Sequence, residues 1–175
     1  SVLYFLSDGL YYLLYTVIGY RKQVVRDNLR RSFPTKNEQE RLDIKKTYFR
    51  FLADNLIESL KSLSMSKKSF QKRFHLKNPE IITRFTDKNQ SILLAMSHYA
   101  NWEWSAPGLT LQIPVKTILV YKPLSNKSAE KVINGIRAQF GALMVPMKQS
   151  IRTIIEHQGE TTITFMVSDQ TPSAR

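Results

Sequence analysis

Ser91-Ile92-Leu93-Leu94-Ala95-Met96-Ser97-His98-Tyr99-Ala100-Asn101-Trp102-Glu103-Trp104 is the stretch that decides the fold. Residues 91–96 form an apolar run of strand length. It breaks at a Ser-His-Tyr turn, and Asn101 then opens a helical stretch as a candidate N-cap. The same grammar repeats downstream, with strand-like runs at Val115–Tyr121, Leu143–Met147 and Thr161–Val167. Between them, the pattern predicts a second helix from about Ser125 to Phe140, stopped by Gly141, and a third from about Gln149 to Gln158, stopped by Gly159. Alternation of this kind predicts βαβ crossovers, hence an α/β fold with a mostly parallel sheet covered by helices. Ligands of such sheets sit outside the carboxyl ends of the strands. Two segments fall at such ends, Ser97-His98-Tyr99 and Ser168-Asp169-Gln170.

Upstream of this region the chain reads as helical. Residues 64–90 are polar and basic, with Pro79 as punctuation, and predict short helices and loops. Before them, Leu42, Phe49, Leu52, Leu56, Leu60 and Leu63 recur at helical spacing, which predicts an amphipathic helix of about 25 residues with this stripe in the core. Thr35 and Glu38 have the spacing of a capping box at its start.

The first twenty residues are rich in Leu, Val and Tyr, with Asp8 as the single charge. A spanning helix needs about 20 apolar residues, and a central carboxylate costs roughly 2.5–3.5 kcal/mol on insertion scales. Five tyrosines (Tyr4, Tyr11, Tyr12, Tyr15 and Tyr20) suit a headgroup interface better than a hydrocarbon centre. Residues 1–20 are therefore expected to form an interfacial anchor, with a buried helix of a soluble core as the alternative. Arg21, Lys22, Arg26, Arg30 and Arg31 follow directly. Cations beside an apolar segment favour the cytoplasmic side and attract anionic lipid, though a solvated helix face has the same composition.

At 175 residues the chain has room for one domain. Its expected parts are an anchor at 1–20, a helical region at 21–90 and an α/β catalytic region at 91–175. It opens without Met and stops shortly after a strand-like run, so a fragment trimmed at both ends is expected, with its C-terminal part missing. The net charge of +12 suits nucleic acid, anionic headgroups or an acidic protein partner equally well. No cysteine is present, which excludes thiolate chemistry and disulfides. The three scattered histidines lack metal-ligand spacing, and His75 and His157 receive no role.

The chemistry concentrates at His98 and Glu103. Four residues separate them, so a turn can fold the carboxylate back onto the imidazole, hold one ring nitrogen as N–H and leave the other as acceptor. Such a histidine can take a proton from an alcohol at neutral pH, and the alcohol can attack a thioester directly.

Ser97-His98-Tyr99-Ala100-Asn101-Trp102-Glu103 closely resembles the His-aromatic-Gly-Asn-Trp-Glu block of the late acyltransferases of lipid A biosynthesis. These are relatives in kind of the lysophospholipid acyltransferases. The resemblance extends along nearly the whole chain. Tyr20-Arg21 through Asn28-Leu29 to Phe33-Pro34 is similar to the family's basic N-terminal helix. Tyr121-Lys122-Pro123 with Asn126, then Arg137 ahead of Gly141, resembles its next block, and Asp169-Gln170-Thr171-Pro172 its Asp-Gln motif. Ala100 departs from the pattern, standing where many members have glycine. A methyl group is tolerable there unless φ is positive.

The resemblance implies an O-acyltransferase with His98 as general base and Glu103 as its orienter. Arg137, Asp169, Gln170 and Asn101 follow as substrate-binding or site-shaping residues. It also implies an acyl thioester co-substrate on acyl carrier protein or coenzyme A, with no separate cofactor. The acceptor is a hydroxyl of a lipid A precursor or related glycolipid at the cytoplasmic face of the inner membrane. A glycerophosphate or lysophosphatidate acyltransferase is the runner-up, although those usually carry Asp where this chain has Glu103. A basic nucleic-acid-binding module is the non-enzyme rival. Against it, the aromatic residues cluster near the N-terminus and around His98 and are not interleaved with Lys and Arg.

Overall fold

A computed structural model describes residues 2–169, and these form two compact units, one up to Leu60 and one from Lys61 onward. The boundary falls inside the region expected to be helical.

The first unit is helical. Helix α1 (Val2–Tyr12) runs into a π-helical segment, Leu13–Ile18. Gly19 then adopts the left-handed conformation (φ 67°) that glycine reaches without a Cβ penalty. The N–H groups of Gly19 and Tyr20 both reach the Leu14 carbonyl, which closes the helix. Helix α2 (Lys22–Ser32) leaves at 94° to the preceding segment. Among the described residues no single helix is long and apolar enough to cross a membrane, but the bent pair Val2–Ile18 and Lys22–Ser32 passes by length and composition.

Helix α3 (Glu38–Ser62) has the 25 residues expected of it. Its capping box is made by Asn37 and Glu40, not by Thr35 and Glu38. Asn37 Oδ1 accepts from the Glu40 N–H at 2.9 Å, and Glu40 Oε2 accepts from the Asn37 N–H at 2.8 Å. Asparagine caps at least as well as threonine, and Glu38 is engaged by Arg30 and Arg41 instead.

The expected apolar stripe of α3 is only partly a core. Phe49 and Ala53 are buried, but Leu56, Leu60 and Leu63 are exposed. Polar contacts join α1 to α3: Ser7 hydrogen-bonds Asp54 in a partly buried position, while Tyr4 to Glu58 at 3.2 Å and Asp8 to Arg50 at 3.4 Å lie exposed. Helix α1 thus turns its polar atoms toward α3 and leaves Val2 (80 % exposed) and Phe5 (77 %) outside.

The second unit has the opposite grain. After two short helices, α4 (Lys67–Gln71) and α5 (Glu80–Thr86), come β1 (Ile92–Met96), a 3₁₀ turn at Trp102–Trp104 and α6 (Ser105–Gln112). Then follow β2 (Lys116–Tyr121), α7 (Lys127–Ala138), β3 (Leu143–Pro146), a 3₁₀ turn at Met147–Gln149, α8 (Ser150–Glu156) and β4 (Thr162–Val167). Each expected strand is present with its ends within one residue, and the second and third helices within two; the first helix opens as the 3₁₀ turn at Trp102 and becomes α6 only at Ser105. The four strands are all parallel, in the order β1-β4-β2-β3. Central β4 is buried from Thr162 to Phe165, as a strand covered on both faces must be. Leu109 and Ile113 of α6 region pack with Leu119, Ile163 and Phe165 in the main core.

Candidate active site

The strand order decides which side chains meet. β1 and β4 are neighbours, with Met96 paired to Val167 in register. The ladder gains one more rung, from the Ser168 N–H to the Met96 carbonyl at 2.9 Å. Two residues beyond that register lie His98 on one strand end and Asp169 on the other. The Asp169 carboxylate clamps the histidine twice. Oδ1 lies 2.8 Å from ring Nδ1, and Oδ2 accepts from the His98 backbone N–H at 3.0 Å. The ring stands edge-on to Trp102, with centroids 5.2 Å apart.

This arrangement assigns the tautomer by chemistry. A carboxylate at Nδ1 holds the proton there in the neutral ring and turns Nε2 into the acceptor. The same hydrogen bond from the His98 ring, followed by the one from its backbone N–H, holds the Asp169 carboxyl below the ordinary aspartate value. Asp169 is therefore an anion throughout the neutral range.

Glu103 goes elsewhere. It lies in the 3₁₀ turn after β1, and both its oxygens face Arg137 of α7, Oε2 to Nε and Oε1 to Nη2, each at 2.7 Å. This is the bidentate fork that guanidinium and carboxylate form best. The pair is more enclosed than the histidine: the side chains of Glu103 and Arg137 are 13 % and 21 % exposed, against 32 % for His98. The carboxylate expected on His98 from spacing thus pairs with Arg137, and the one on His98 comes from a residue 71 positions away. The physical reason is the turn itself. The chain leaves β1 through Ala100 at φ 50° and enters a 3₁₀ turn, which carries Glu103 toward α7.

Ala100 therefore occupies the left-handed region, where a Cβ is strained by roughly 1–2 kcal/mol. Asn101 sits at the N-cap position of the 3₁₀ turn, but its side chain makes no capping bond there. Asn126 does cap α7, accepting from the Ala129 N–H at 3.0 Å. Gln170, expected beside Asp169, lies outside the described residues.

A strand-end histidine clamped by an aspartate, with a carboxylate–guanidinium pair joining the adjoining 3₁₀ turn to α7, can exchange a proton at the carboxyl end of the sheet. The model of the bacterial lipid A biosynthesis acyltransferases matches residues 1–175, the whole chain. The chain belongs to that family. A search of the curated proteins finds no match. The protein is thus an acyltransferase of a family that works in lipid A synthesis, and the resemblance read from the Ser97–Glu103 block is correct at the family level. The sequence reading named all four residues, paired His98 with Glu103, and gave Arg137 and Asp169 no side-chain partner. Spacing suggested His98 with Glu103, while the neighbouring of β1 and β4, which creates His98–Asp169, leaves no mark in local spacing.

Proposed function

We propose that this acyltransferase moves a fatty acyl chain from a thioester to a hydroxyl of a lipid A precursor or related glycolipid, at the cytoplasmic face of the inner membrane. His98 Nε2 accepts the hydroxyl proton as the oxygen attacks the thioester carbonyl. A C–O bond forms, the C–S bond breaks, and the proton passes to the departing thiolate. Asp169 takes the orienting role that spacing had suggested for Glu103: it holds the ring in the Nδ1–H form and stabilises the imidazolium. Glu103 and Arg137 brace each other between the 3₁₀ turn and α7, and so position the turn that carries the base. The thioester is carried by acyl carrier protein or coenzyme A, both acidic enough to be drawn to a chain of charge +12.

The observation that carries this reading is the double clamp of Asp169 on His98 at the ends of adjacent strands. Turnover of an acyl thioester with a lipid A precursor in detergent tests it. His98→Ala should lose about 10²–10⁴-fold, the usual worth of a general base. Asp169→Asn should lose most of that, with KM for both substrates little changed. An Asp169→Asn enzyme with full turnover would remove the aspartate from the mechanism.

A further inference from the structure

Two rows of cations face one another in the first unit. Arg26 and Arg30 stand one turn apart on α2, and Arg41 and Lys45 one turn apart on α3. With Leu29, Glu38 and Leu42 they line a shallow open groove. Glu38 is the single carboxylate in that lining, and it is already shared between Arg30 and Arg41, both at 3.1 Å. Four cations against one anion leave the groove strongly positive.

The individual groups carry the mark of a missing anion. Arg41 bonds the Phe33 carbonyl and Glu38 through its terminal nitrogens, but its Nε is buried without a hydrogen-bond partner among the described residues. Lys45 is half-buried and has no ion-pair partner among the described residues. Partial burial, then the charges of Arg26 and Lys22, push its ammonium below the ordinary lysine value. Like charges gathered in this way cost folding energy, and a buried unpaired donor adds to the cost. An anion in the groove would offset both.

We propose that this groove binds the phosphate group of an anionic membrane lipid. Tetrahedral phosphate suits guanidinium and ammonium donors arriving from two sides. The choice of a lipid over a free anion rests on what adjoins the groove. Lys22 and Lys45 both lie against the ring of Tyr15, at 4.4 Å and 5.8 Å from its centroid. Tyr15 belongs to the apolar segment in which Tyr12, Val17 and Ile18 are exposed. A headgroup phosphate seated between the cation rows would therefore have apolar surface within reach of its acyl chains. None of the groove residues belongs to the site around His98, so the proposal stands apart from the catalytic reading.

The test uses the full chain and the double variant Arg26→Gln/Lys45→Gln. Among the described residues Arg26 hydrogen-bonds Gln23, Lys45 lies over the Tyr15 ring, and neither forms an ion pair. The control, Lys46→Gln/Arg50→Gln, removes the same charge from residues paired with Asp43 and Asp8. Binding to phosphatidylcholine vesicles, with and without phosphatidic acid, is measured for all three, alongside melting temperature in inorganic phosphate. The groove variant should lose about tenfold or more of its affinity for the phosphatidic acid vesicles, and the control much less. In phosphate-free buffer the groove variant should melt no lower than the parent, because repulsion has been relieved. Equal losses in both variants, or none in either, would overturn the site. A groove-dependent rise in melting temperature with inorganic phosphate, but no groove-dependent vesicle binding, would overturn the assignment to lipid.

Discussion

The two units use the same apolar residue types in opposite ways. From Lys61 onward, Leu119, Ile163 and Phe165 disappear beneath helices on a parallel sheet. In the first unit, Val2, Phe5, Val17 and Ile18 stand outside while Ser7 is buried. Exposed apolar side chains of this kind suit a surround less polar than water, as the membrane location proposed above would supply. The difference teaches that apolar pattern reports periodicity reliably, but which side faces in depends on what the partner helix offers. Here α3 offers Asp54, Glu58 and Arg50 to α1.

The largest expected effects lie in the sheet unit and are chemical. His98→Ala should reduce acyl transfer by about 10²–10⁴-fold with the melting temperature nearly unchanged, since a half-exposed strand-end ring carries little packing. Changes confined to the first unit, such as Phe5→Ser, should leave turnover in detergent alone and reduce retention on vesicles. A Phe5→Ser protein that retains full vesicle binding would break the contrast.

Stability should separate the units next. Phe165→Ala in β4 should cost about 3–5 kcal/mol in denaturant unfolding, as expected of an aromatic residue only 4 % exposed. Phe5→Ser should cost under about 0.5 kcal/mol in the same assay. Arg137→Ala, which leaves the enclosed Glu103 unpaired, should fall between, at about 2–3 kcal/mol. That lies below the full penalty for a buried pair because both side chains keep some solvent.

The smallest effects refine the site. Ala100→Gly relieves the left-handed strain but frees the unfolded chain, for a net gain of about 0.5–1 kcal/mol. A loss of stability would show that the φ of 50° carries no strain. The acid limb of the stability curve should also respond to Asp169. Its carboxyl is held below the ordinary value in the folded state by His98. The resulting stability is present above the ordinary aspartate pKa, near about 3.9, and is lost as pH falls through the lower folded value. Asp169→Asn should flatten that part of an acid titration.

Much of this was legible in the chain. The four runs from Ser91, Val115, Leu143 and Thr161 became four strands because short apolar runs between helices and glycine stops have few other folds. The strand ends at His98 and Asp169 were visible for the same reason. The pairing between them was not, because β4 inserts between β1 and β2 and nothing local encodes strand order. Leu56 and Leu60 misled for a different reason: they share a helix face with buried Phe49, and spacing alone does not say where along α3 that face loses its cover, nor that their neighbours Asn55 and Ser59 are buried.

The central claim is that Asp169, and not Glu103, sets the state of the His98 imidazole proposed as the base. Nitrogen-15 NMR of the labelled His98 ring at a pH where it is neutral reads the tautomer directly. The account predicts a proton on Nδ1 in the parent enzyme and in Glu103→Gln, and a mixture of tautomers in Asp169→Asn. A parent-like ring in Asp169→Asn, with the tautomer lost in Glu103→Gln, would contradict it.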